Sequence, residues 1–167
     1  HLERLEGLKV LFLPRIIVID NQTAEKLSAF VKNGGTLVCE AETGAFTSQA
    51  FFRYPEDRFL AKLAGIQEIG KRAIENESYK VRIGGKELAL RPTEWLAPVV
   101  KGKGKSLADY GQYSLAAEVK AGRGRVIICG SNLGCAYNET PYPDFESFVS
   151  IVSRTSGWEP EVELLSP

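Results

Sequence analysis

Apolar positions in this chain follow two rhythms, and the switch between them divides it. KVLFL at 9–13 is an unbroken apolar run closed by Pro14, the pattern of a strand covered on both faces. Asp20 is suited to cap a helix, and beyond it Ala24, Leu27, Phe30 and Val31 recur at helical spacing. Gly34-Gly35 ends that helix, because glycine takes the left-handed cap conformation without a Cβ clash. TLVCE at 36–40 is a second buried strand. Strand, helix and strand over about 30 residues make a βαβ unit with parallel strands and a right-handed crossover.

Residues 41–55 then read as a loop rich in polar and aromatic side chains, among them Phe46, Phe51, Phe52 and Tyr54. A short helix is predicted at about 56–64, with Phe59, Leu60 and Leu63 inward and Gly65 as its stop. From Tyr79 the period becomes two. YKVRI and KELAL flank Gly84-Gly85, the signal of a tight hairpin. WLAPVV (95–100) and YSLAAEVK (113–120) predict further strands joined through a Gly/Lys loop. Gly122 and Gly124 mark a turn into a third buried strand, RVIICG at 125–130. A final helix spans about 144–156, with Phe145, Phe148, Val149 and Val152 inward and Gly157 ending it; a tail follows from Pro160. The pattern predicts one α/β domain over 1–159, an open and mainly parallel sheet with an antiparallel β insert at about 79–120, and a tail at 160–167.

Bulk composition narrows the function classes. The 167 residues suffice for one domain with a proper core, and 44% hydrophobic with 25% charged is the profile of a globular protein. Lys+Arg and Asp+Glu are both 21, so no long-range field favours nucleic acid or an anionic membrane as partner, and weak net repulsion makes self-association easy. No apolar run approaches the ~20 residues that cross a bilayer. HLERLEGLKV lacks a signal-peptide layout, and Met is absent even at position 1. The chain therefore reads as cytoplasmic, or as a piece excised from a longer protein. Three cysteines without a CxxC spacing argue against a disulfide framework or a structural zinc site, and no motif calls for a cofactor.

Several short motifs invite chemistry. Gly104-Lys105-Ser106 resembles the end of a phosphate-binding loop, but the glycine required five positions earlier is Val99, and no helix follows. AGRGRV (121–126) reads as a tight turn entering a strand. GSNLG (130–134) follows a buried strand, where a nest of backbone N–H groups including Ser131 and Asn132 can face a ligand. Cys39 lies at a strand end, the position of a nucleophile. A thiol nucleophile needs a base, and the single histidine is His1, ahead of any predicted element. Cys39 therefore reads as core. Glu40 and Glu42 do not converge as an acid/base pair, and Asp144 and Glu146 open a helix whose dipole they complement. Aromatics at 46–54 and at Tyr137, Tyr142 and Phe145 lie in or beside loops leaving the strands, where they can pack, stack on a sugar ring or fill a subunit interface.

The order of these segments resembles a known family. LKVLFLPRIIVIDNQTAEKLSAFVKNGGTLVCEAETG is similar to the opening of the trimerisation domain of family 42 β-galactosidases: an apolar strand ending in Pro, a helix closing on F-V-x-x-G-G-T-L-V, then a turn reaching T-G. AGRGRVIICGSNLG resembles the family's late G-x-G-x-V strand, and the match covers roughly 8–65 and 95–157. The resemblance implies a three-layer, flavodoxin-like sheet related to class I glutamine amidotransferases. It also implies a non-catalytic role, since the family's acid/base glutamates lie in a TIM barrel outside these residues. The amidotransferase motif G-x-C-x-G is likewise missing around Cys39 in LVCEAETG. Two departures stand out. The family has an additional strand and helix ahead of the segment matching KVLFL, so an unpaired sheet edge is expected here. The loop FTSQAFFRYP is also more aromatic than the family pattern.

The expectation is an accessory domain of a multidomain glycoside hydrolase acting on β-galactosides. It would pack subunits into a homo-oligomer such as a trimer and shape the entrance to an active site on a partner TIM barrel. The alternative is a carbohydrate-binding module using the loop aromatics. In either case the contact edge is expected at Glu40, Thr43, Gly44, Phe51, Phe52, Tyr54, Ser131, Asn132 and Tyr137.

Overall fold

A computed structural model describes residues 5–159; His1 and the tail from Pro160 lie outside the described residues. Strand β1 (Val10–Leu13) leads into helix α1 (Asn21–Lys32) and strand β2 (Thr36–Cys39), as the βαβ pattern predicts. Asp20 caps α1 by accepting a hydrogen bond from the Thr23 N–H at 2.6 Å. The helix expected at 56–64 is split. A 3-10 turn at Pro55–Asp57 is separated from α2 (Phe59–Ala64) by Arg58, whose backbone is extended, and Gly65 closes α2 in the left-handed conformation.

Seven strands form the main sheet. β1, β2 and β9 (Gly124–Cys129) run parallel, with Leu13 opposite Cys39 and Val38 opposite Ile127. Beyond β9 the sheet continues antiparallel through β8 (Tyr113–Ala121), which pairs with both β7 (Lys105–Tyr110) and β6 (Val99–Val100); β3 (Gln67–Glu68) completes it beside β6. The sheet is therefore mixed: parallel through β1, β2 and β9, and antiparallel from β9 to β3. Among the described residues β1 lies at one end of the sheet, with β2 as its neighbour.

Strand β7 was not anticipated. Lys105 and Ser106 enter this strand rather than a helix, which removes the phosphate-loop reading on structural grounds. The 79–120 insert also divides. β4 (Tyr79–Ile83) and β5 (Lys86–Leu90) form their own two-stranded sheet, whereas β6, β7 and β8 join the main one. Gly84 and Gly85 both have positive φ, as a two-residue hairpin turn of this kind requires. The hairpin packs on α4 (Pro143–Thr155), where the Ala89 N–H donates to Asp144 Oδ2 at 2.6 Å. Residues 130–134 lead into helix α3 (Leu133–Glu139).

Alternation along the strands feeds two cores. Leu37, Cys39, Val126 and Ile128 face α1 and α2, whereas Val38, Ile127 and Cys129 face α3, α4 and the hairpin. Close approach of backbones holds the first of these layers. A Cβ on Gly124 would lie 2.2 Å from the Gly35 carbonyl oxygen and 2.3 Å from that of Val31, so the β8–β9 turn can seat against the end of α1 only with glycine there. Gly124→Ala is expected to lower the unfolding free energy by about 2 kcal/mol or more, measured by urea denaturation. An unchanged midpoint would show that the turn has room to shift.

Candidate functional site

The carboxyl ends of β1, β2 and β9 meet at Glu40. Its side chain is buried, 6% exposed, yet makes no ion pair within 4.0 Å among the described residues. Oε1 accepts the Gly134 N–H at 2.6 Å, at the start of α3, and Oε2 accepts the Arg15 N–H at 3.0 Å, just past β1. One carboxylate thus ties the ends of all three parallel strands together. Burial raises its pKa above the ordinary carboxylate value, and the hydrogen bonds from Gly134 and Arg15 oppose that shift. Gly134 favours the approach, since a Cβ there would sit 3.1 Å from Pro14 and 3.3 Å from Glu40, tight enough that one of them must give.

Beside Glu40 lies a cavity of about 610 Å³ with apolar walls from Phe12, Val38, Phe145 and Val149. Its lining also includes Arg15, Glu94 and Cys135. The Arg15 guanidinium is engaged there, 2.9 Å from Glu94 Oε1 and 3.6 Å from Cys135 Sγ.

The residues expected at the edge separate by burial and partner. Ser131 and Asn132 are buried: the Ser131 hydroxyl is 2.8 Å from the Tyr79 hydroxyl, and the Asn132 amide donates to Glu94 at 3.0 Å. Tyr137 donates to Glu146 at 2.8 Å and packs its ring against Tyr142 and Phe145. Thr43 and Gly44 lie inside the fold. The Thr43 hydroxyl donates to the Glu40 carbonyl, and the Gly44 N–H donates to the Ile16 carbonyl. Phe51, Phe52 and Tyr54 are 71%, 52% and 64% exposed. Glu42 departs from Glu40, pairing with Lys71 at 3.1 Å, because β2 ends at Cys39 and Glu42 has positive φ.

The exposed aromatics have company that the periodicity did not reveal. Val18 bridges to Phe46, and Phe46 bridges to Phe52, so the backbone of 16–18 is joined through Phe46 to that of the aromatic loop, and Ile16, Ile17, Val18, Phe51, Phe52 and Tyr54 are all exposed. The available signal was IIV one residue after a strand-ending Pro, three β-branched residues with no partner of helical or strand period. Two arginines hold this surface from below. Arg53 donates to the carbonyls of Ile19 and Phe46 at 2.6 and 3.1 Å. Arg58, 5% exposed, pairs with Glu68 at 2.6 Å and lies 5.4 Å from the Phe52 ring centroid.

Cys39 and Cys129 are fully buried, and desolvation pushes both thiols far above the ordinary range, so neither supplies a thiolate at neutral pH. Cys135 is part-exposed. Thiol titration of the native chain is expected to find a single fast-reacting cysteine, lost in Cys135→Ser; rapid modification of Cys39 would contradict its place in the core. Arg58→Met is expected to cost about 3 kcal/mol, read by thermal or urea unfolding, because it leaves Glu68 buried without its partner. A loss below about 1 kcal/mol would place that pair in effective contact with solvent.

The sequence matches the family model described as the β-galactosidase trimerisation domain over residues 2–146. Among solved structures, β-galactosidase from Bacillus circulans sp. alkalophilus is 17% identical with a TM-score of 0.73, over 92% of this chain and 23% of that one. The polyextremophilic β-galactosidase from the haloarchaeon Halorubrum lacusprofundi is 16% identical with a TM-score of 0.71, over 92% and 23%. α-L-Fucosidase isoenzyme 2 from Paenibacillus thiaminolyticus is 16% identical with a TM-score of 0.60, over 89% and 25%. The chain therefore spans about a quarter of the length of these enzymes or less. No curated protein matches the sequence. With the family model covering most of its length, the chain belongs to the β-galactosidase trimerisation domain family.

Proposed function

We propose that this chain packs subunits together in a multidomain glycoside hydrolase, with the apolar surface of Ile16, Ile17, Val18, Phe51, Phe52 and Tyr54 as its contact. These exposed apolar side chains, on segments bridged through Phe46, are the observation that carries the reading, since exposed apolar groups gathered on one part of a domain mark interaction sites. The underlying arginines support it by holding the loop in one shape before association. We read 1–159 as one domain and its sheet as flavodoxin-like, with α1 and α3–α4 on opposite faces of β1, β2 and β9. Catalysis on β-galactosides belongs to a TIM barrel elsewhere in the parent protein, whose active-site entrance this domain helps to shape. The chain itself acts without a cofactor, and its partner is a further copy of itself, in a trimer. A cytoplasmic setting, away from nucleic acid and membrane, fits the balanced charge, and no helix among the described residues is long and apolar enough to cross a membrane.

The aromatics are better suited to protein than to sugar. Phe46, Phe52 and Tyr54 meet edge to face at 5.6 and 6.0 Å, so they do not form the flat platform on which a pyranose ring would stack. Sedimentation velocity over a range of concentrations is expected to show association, abolished by Val18→Asp with Phe52→Asp while the circular dichroism spectrum is retained. A concentration-independent monomer in the unsubstituted chain would sink this reading for these residues. Titration with a β-galactoside, followed by Trp95 and Trp158 fluorescence, is expected to show no saturable change.

A further inference from the structure

The cavity beside Glu40 is not absorbed by subunit packing, because the exposed aromatic surface lies elsewhere. We propose that this cavity binds a small organic cation, an ammonium or guanidinium head on an apolar body, with Glu40 as the anionic anchor.

Position is the first argument. The cavity lies where β1 passes to α1 on one face of the sheet and β9 passes to α3 on the other, outside the carboxyl ends of the parallel strands. Open α/β sheets place their ligands in such crevices. A volume of about 610 Å³ falls within the range of small-molecule sites, and walls of Phe12, Val38, Phe145 and Val149 suit an apolar body.

Charge selects the head group. Glu40, Glu94 and Glu139 line the cavity against a single guanidinium, Arg15, which already pairs with Glu94. Glu40 is left buried with backbone N–H donors and no ion pair within 4.0 Å among the described residues; the nearby Arg15 charge offsets its own only in part, being already paired with Glu94. Buried carboxylates seldom lack a counter-charge, and each oxygen retains a further acceptor site. A bound ammonium supplies both the charge and the donors. An anion would be repelled, whereas a polyol would leave the apolar walls poorly matched. The raised pKa of Glu40 agrees with a carboxylate that awaits a counter-ion.

Amide shifts of the 15N-labelled 167-residue chain test this, with benzylammonium, benzyl alcohol and galactose as probes. Benzylammonium is expected to shift the Arg15 and Gly134 amides saturably. Its affinity should exceed that of benzyl alcohol by about tenfold or more, the worth of one charge-assisted hydrogen bond. Glu40→Gln is expected to remove that preference. Should that variant not fold, Val149→Trp fills the cavity without touching Glu40 and is expected to abolish saturation. Equal affinity for benzylammonium and benzyl alcohol, a preference for galactose, or benzylammonium shifts that persist in Val149→Trp would each overturn the proposal. Sedimentation of the same samples reports association separately, so failure of the cavity leaves the subunit-packing reading to stand or fall by its own test.

Discussion

The parallel pairing of β2 with β9 is the constraint on which the other layers depend. Thr36 lies opposite Arg125 and Cys39 opposite Ile128, and from this ladder alternate side chains supply a core on each face. Helices α1 and α2 cover one face; α3, α4 and the β4–β5 hairpin cover the other. A slip of one residue would exchange the two sets. Two features pin the register at the start of β9. Gly124 lies against the end of α1, and Arg125 donates from its guanidinium to Thr36 at 3.2 Å and to Glu118 at 3.0 Å. The same alternation explains the cysteines: Cys39 and Cys129 fill opposite cores, each as a small apolar group.

At the other end of that ladder the parallel strands close on a carboxylate. In an α/β sheet the exposed N–H groups of a strand-to-helix turn are a natural place for a bound anion. Here Glu40 occupies it, donated to by Arg15 and Gly134, so part of the potential of this edge is met from within the chain. The cost is a desolvated charge beside an apolar cavity. Thr43, Ser131 and Asn132, which a sequence reader places at an exposed edge, are drawn inward by their hydrogen bonds around this point.

The aromatic loop depends on different chemistry. Residues 41–58 have little regular structure, and polar groups in such a segment need partners when they are covered. Arg53 and Arg58 provide them, the first through backbone carbonyls and the second through Glu68. Because these long side chains sit beneath the loop, the apolar rings can face outward in an ordered arrangement. A firm support under an exposed apolar surface suits an interface better than a mobile recognition loop does.

Much of the fold was legible in local pattern. The βαβ start, the Gly84-Gly85 hairpin, the β9 strand and the last helix each follow from periodicity and from stop residues that act within a few positions. The reading of Cys39 as core was equally local, since it lies in the apolar run TLVCE, and the structure buries it. Other features required the tertiary structure. Strand β7 has a weak period of its own and is a strand because β8 pairs with it. Helix α3 is short and lacks a side-chain cap of its own; Glu40, 94 positions away, takes up its Gly134 N–H. Ile16–Val18 and Phe51–Tyr54 lie more than thirty residues apart, and the bridges through Phe46 bring the two segments together. Sequence alone determined which segments are strands and helices where the signal lies within a turn or two. Contacts between distant residues decided which carboxylate is buried, which aromatics are exposed and where the cavity lies, because burial depends on the whole chain being assembled.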